Sequence, residues 1–161
     1  MPDAPDLAEA VEALASARRR RGLRVIVSDF LDARPSLDPG LEPPWERPIR
    51  RLSARHQVLA VEVLDPRELE LPPVGLVSLT DPESGRSRQV RLTAKVRAAY
   101  AEAAALQREI TRTALRRCGV EHLVLRTDRD WVADIAQFVL KQRRTAHIAH
   151  RHPAAGAGAI R

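Results

Sequence analysis

Leu23-Arg-Val-Ile-Val-Ser-Asp29 decides the fold. The stretch is short, β-branched and nearly continuous in its apolar centre. That is the composition of a strand covered on both faces, as in a parallel sheet. Val58-Leu-Ala-Val-Glu-Val-Leu64 reads the same way and is ended by the turn pair Asp65-Pro66. His122 to Arg126, with Leu123-Val-Leu125 at its centre, is a third strand of this kind.

Working outward, helical signals fill the gaps. Asp6 is placed as an N-cap with Glu9 three residues on, as in a capping box. Leu7, Val11 and Leu14 follow at helical spacing, Arg18 to Arg21 make a cationic last turn, and Gly22 ends the helix. Asp32 to Pro48 holds five prolines and Gly40, and reads as a long loop over the carboxyl end of the first strand. Trp45, Ile49 and Leu52 mark a short helix with Pro48 in its first turn. Leu76–Leu79 and Arg88–Leu92 alternate apolar and polar residues around a turn-rich link, which predicts an antiparallel hairpin. Thr93 caps the longest helix, carried by Val96, Tyr100, Ala103, Leu106, Ile110 and Ala114 and closed by Gly119. Asp128 or Asp130 caps a last helix with Trp131, Ile135, Phe138 and Val139 on its apolar side.

The expected fold class is therefore α/β: a doubly wound, mainly parallel sheet with flanking helices, plus an antiparallel hairpin. Residues 1–144 form the domain and 145–161, rich in His, Ala, Gly and Arg, a disordered tail.

Bulk properties narrow the function. With 161 residues, 44% hydrophobic and 30% charged, the chain fits one globular domain. No apolar run approaches the roughly 20 residues that span a bilayer. Met1 to Val11 is acidic where a secretory signal is basic and then apolar, so the expected location is cytoplasmic. The single cysteine, Cys118, excludes an internal disulfide and sits at a helix end as a structural thiol. The net charge of +6 comes almost wholly from arginine, with Lys95 and Lys141 the only lysines. Aromatic residues make up 3%, which leaves few rings for bases to stack on, and nucleic-acid binding is not expected.

Four segments, in order, carry a family resemblance: Gly22-Leu-Arg-Val-Ile-Val-Ser-Asp-Phe-Leu-Asp32, His56-Gln-Val-Leu-Ala-Val-Glu-Val-Leu-Asp-Pro-Arg-Glu68, Leu79-Thr-Asp-Pro-Glu-Ser-Gly85 and Thr127-Asp-Arg-Asp-Trp131. They resemble the C-terminal half of the bacterial domain of unknown function 58 family, itself similar to a divergent von Willebrand factor A domain. The resemblance runs from about Asp6 to Arg144. It implies a partial von Willebrand factor A-like fold in which the three strands are the second half of the sheet and the hairpin is an insertion. It also implies association with a MoxR-type AAA+ ATPase in assembly or maturation of other proteins. Such domains bind Mg²⁺ at the topological switch point, and Asp29 matches the aspartate that follows the corresponding strand, with Ser28 and Asp32 beside it as candidate interaction residues. The pattern's other donors are not here: no Asp-x-Ser-x-Ser occurs, and Ala4-Pro5 stands where the threonine belongs. The expectation is no cofactor in this chain alone, and Mg²⁺ only with the N-terminal half present.

The remaining candidates read as structural. Asp29 as a strand-end residue accepts loop N–H groups. Asp65, Asp128 and Asp130 serve turns and caps. His147, His150 and His152 lie in the tail, and His56 has no visible partner. Glu102 and Glu109 are exposed ion-pair members. No Gly-rich phosphate loop, nucleophile elbow or zinc signature occurs. A non-enzymatic protein-interaction module is the leading expectation. Its rivals are a metal-dependent enzyme using strand-end aspartates and a basic nucleic-acid-binding domain. With the first half of the sheet missing, the Leu23–Asp29 strand should present an open edge for another copy or a separate N-terminal chain.

Overall fold

The computed structural model describes residues 6–17, 20–31, 38, 40–80 and 85–151. Helix α1 (Leu7–Ala17) leads into β1 (Leu23–Ser28), α2 (Glu46–Ser53) and β2 (Gln57–Leu64). A 3-10 turn at Pro66–Glu68 precedes the hairpin β3 (Leu76–Thr80) and β4 (Ser87–Arg91). Helix α3 (Ala94–Arg117), β5 (Glu121–Arg126) and α4 (Trp131–Arg151) complete the chain.

The helix ends follow local chemistry. Asp6 Oδ1 accepts the Glu9 N–H at 2.8 Å and Thr93 Oγ1 accepts that of Val96 at 3.2 Å, each satisfying a donor left over by the first helical turn. Gly119 ends α3 at φ 66°, a left-handed conformation that costs residues with a Cβ. Asp130, not Asp128, caps α4: its Oδ1 accepts from the N–H groups of Val132 and Ala133. Helix α4 runs through Arg151, past the expected limit at Arg144, because no glycine or proline interrupts the sequence before Pro153. The rest of the expected tail, 152–161, lies outside the described residues, as do Arg18, Arg19, Asp32 to Leu37, Pro39 and most of the turn joining β3 to β4.

Strands β1, β2 and β5 form a parallel sheet in the order β1-β2-β5, with Val27 beside Val61 and Val61 beside Leu123. The β3–β4 pair is a separate antiparallel sheet, with Val77 opposite Val90. One face of the parallel sheet carries the hydrophobic core. Ile26, Val58 and Ala60 meet Val11 of α1, Ile49 and Leu52 of α2, and Ala114, Leu115 and Cys118 at the end of α3. On the other face α4 packs against β5, where the Gln142 side chain reaches Glu121.

That second face corrects the reading of Leu23–Asp29 as covered on both sides. Leu23, Val25 and Val27 are 57%, 48% and 64% exposed. Apolar composition marks what a strand is built to bury. It does not guarantee that the cover is present in the described residues. Among these, β1 pairs only with β2, so it is an edge strand with an uncovered apolar strip.

Candidate functional site

The carboxyl end of β1 turns sharply at Ser28-Asp29-Phe30-Leu31. Ser28 Oγ accepts the Phe30 N–H at 3.0 Å, and Asp29 Oδ1 accepts the Leu31 N–H at 3.0 Å. Phe30 takes φ 57°, which a residue with a Cβ adopts only under strain of about 1–3 kcal/mol. Burial holds it there: the ring is wholly enclosed and meets Trp45 edge-on, centroids 5.3 Å apart. The turn thus presents Asp29 at the surface above the core. Trp45, at the start of α2, supplies the ring that packs on Phe30.

Beside this turn the sheet carries a buried polar pair. Glu62 stands next to Ser28 in register and is 3% exposed. Its Oε2 lies 2.8 Å from His122 Nε2 on the neighbouring strand. A carboxylate in an otherwise apolar strand needs such a partner to remain buried. A small crevice of about 50 Å³ opens here between Asp29, Glu62, Glu68, Gln107, Arg108 and Thr111. Gln107 Oε1 and Arg108 Nε are buried without a hydrogen-bond partner among the described residues.

The structure brings Ser28 and Asp29 together, with Ser28 Oγ 3.4 Å from Asp29 Oδ1. Asp32 lies outside the described residues. The other strand-end aspartates do not converge on the crevice. Asp65 forms a capping box with Glu68. Asp128 pairs with Arg126, whose Nε and Nη2 each lie 2.9 Å from it, and this guanidinium holds the Asp128 carboxyl below its ordinary value. Glu109 is an exposed partner of Arg112 and Arg116. His56 is buried, and its Nδ1 has no hydrogen-bond partner among the described residues. Cys118 is buried, donates to the Glu46 carbonyl at 3.4 Å, and has its thiol pushed up to about 11 by burial and by the Glu46 charge. At neutral pH it is protonated and unreactive. The side chains of His147 and His150 are not described, and His152 lies outside the described residues.

Mg²⁺ takes a near-octahedral shell of oxygens. At this turn the described residues offer one carboxylate and one hydroxyl, each with an oxygen already committed to a backbone N–H. Among the described residues no three side chains of His, Cys, Asp or Glu gather closely enough to hold a metal ion. These residues do not fit a magnesium shell by themselves.

Sequence reading missed Glu62, His122, Thr111, Gln107 and Arg108. The available signal was Glu62 itself, a charge inside VLAVEVL, with His122 opening the next strand. It also missed Glu46, wholly buried in α2 and clamped by Arg117 through Nε at 2.9 Å and Nη2 at 2.6 Å, with Arg50 Nη2 at 2.6 Å.

Comparison with known proteins adds the family. The model described as "Protein of unknown function DUF58" matches residues 1–110. That match ends within α3, short of the Arg144 limit expected from the quoted segments. An uncharacterized protein of Mycobacterium avium is 48% identical over 141 residues, covering 88% of this chain and 78% of that one. An uncharacterized protein of Mycobacterium tuberculosis is 47% identical over 156 residues, covering 94% of this chain. The chain spans 46% of the length of that relative. A crystal structure of the conserved hypothetical protein BatB from Bacteroides thetaiotaomicron aligns with a TM-score of 0.37 at 14% identity, over 89% of this chain and 62% of that one. The chain belongs to the DUF58 family of proteins of unknown function.

Proposed function

We propose that this chain is a non-enzymatic protein-interaction module of the cytoplasm, the rear part of a von Willebrand factor A-like domain. The observation that carries the reading is the edge strand β1, whose Leu23, Val25 and Val27 leave a continuous apolar strip uncovered. An edge of unpaired backbone groups beside such a strip favours pairing with another protein segment. Its occupant is the companion half of the sheet, of the kind that the longer mycobacterial relatives have room to carry. The completed domain then engages a MoxR-type AAA+ ATPase in protein assembly or maturation. The chain holds no cofactor by itself, and Mg²⁺ at Asp29 requires oxygen donors from the companion half.

The crevice chemistry agrees with binding rather than catalysis. Ser28 Oγ faces Asp29, while the His122 imidazole is taken up by Glu62, so hydroxyl and base address different carboxylates. The test is a pulldown with the tagged chain, alone and with a companion half, from cells expressing the ATPase. Recovery of the ATPase, stronger with the companion half, is expected. Its absence from both samples contradicts the ATPase assignment.

A further inference from the structure

At the opposite end of the sheet, β5 is also an edge strand: among the described residues it pairs only with β2. Helix α3 flanks it on one face and α4 on the other. Where these three elements meet, a groove of about 820 Å³ runs along the outer side of β5. Its cations are Arg108 from α3, Arg126 at the end of β5, Arg129 from the turn that follows, and Lys141 and Arg144 from α4. Asp134 is the single carboxylate among the lining residues. Leu123, Val124 and Phe138 give it an apolar floor.

We infer that this groove binds an extended acidic peptide segment of a partner protein, added as a strand to the edge of β5. This inference rests on the reading of the chain as a binding module, but on neither the ATPase nor the companion half, which uses the β1 edge. Three features specify the ligand. The outer edge of β5 offers backbone N–H and C=O groups that a peptide backbone can pair with. The cations flank that edge, so carboxylates alternating along a strand meet them while intervening apolar residues reach the floor. The length also fits: Asp134 to Arg144 spans about 15 Å at helical rise, which about five extended residues match. Arg126 is held in place by its two bonds to Asp128. A nucleic acid is disfavoured because Phe138 is the single aromatic residue in the lining, too little for base stacking.

The test is fluorescence anisotropy on the full chain with a labelled peptide of alternating glutamate and valine. A lysine–valine peptide, a glutamate–valine peptide N-methylated on alternate amides, inorganic phosphate and a short single-stranded oligonucleotide complete the set. The glutamate–valine peptide is expected to bind, and the lysine and N-methylated peptides are not. Joint Arg129→Glu and Arg144→Glu substitution, at exposed positions, is expected to weaken binding by roughly tenfold. Joint Arg88→Glu and Arg91→Glu substitution on exposed β4 positions, with the same charge change, is expected to leave it within about twofold. Equal loss in both double variants, undiminished binding of the N-methylated peptide, or displacement of the peptide by phosphate or oligonucleotide at matched charge overturns the inference. A chain that associates through β1 but ignores the acidic peptide sinks this inference alone.

Discussion

Glu46 ties α2 to the end of α3 through a buried carboxylate. Its carboxylate is fully buried, yet both guanidinium partners are near half exposed, Arg117 at 44% and Arg50 at 48%. The hydrogen bond from Arg117 lowers its pKa first, burial opposes, and Arg50 adds to the lowering. A depressed carboxyl stabilises the folded state above its unfolded value, near 4.5, and that contribution fades as pH falls through the lower folded value. Glu46→Gln is expected to cost about 2–3 kcal/mol in urea unfolding at pH 7. That is below the 3–5 typical of a broken buried pair, since the arginines left behind remain hydrated. Below pH 4.5 the gap between variant and parent should narrow; a gap constant from pH 7 to pH 3 would contradict the assignment. Residues of this kind were poorly legible in the sequence. Asp6, Thr93 and Gly119 could be placed because caps act within one turn of helix. Glu46 and Arg117, or Glu62 and His122, are far apart in the chain and meet only once the strand order and helix packing are known.

Elements were easier to read than their boundaries or surroundings. The three parallel strands, the hairpin and the four helices all follow from short apolar runs, alternation and 3.6-residue spacing. The sequence left Asp128 and Asp130 as alternative caps for α4, because both precede Trp131 at plausible distances. Geometry separates them: Asp130 accepts two helix N–H groups, while Asp128 is occupied by Arg126. Asp130→Ala should therefore lower stability by about 1 kcal/mol, and Asp128→Ala, which removes an exposed ion pair, by less. Thermal unfolding of the two variants in parallel checks the order, and a larger loss for Asp128→Ala would reverse the assignment. The far end of α4 was misjudged because composition suggested a tail, whereas helix continues until something stops it.

Among the described residues the parallel sheet carries the core on one face, while on the other α4 covers β5 and the β1 strip of Leu23, Val25 and Val27 stays exposed. Sequence reading anticipated the open edge of β1 but took both faces of that strand as covered. Periodicity reports how apolar a segment is, and the partner that buries it can lie in another segment. Sedimentation velocity of the chain over a range of concentrations tests this directly. The account predicts concentration-dependent self-association, abolished by joint Val25→Glu and Val27→Glu substitution and replaced by a defined heterodimer when a companion half is added. A compact monomer at every concentration, with no response to a companion half, would contradict it.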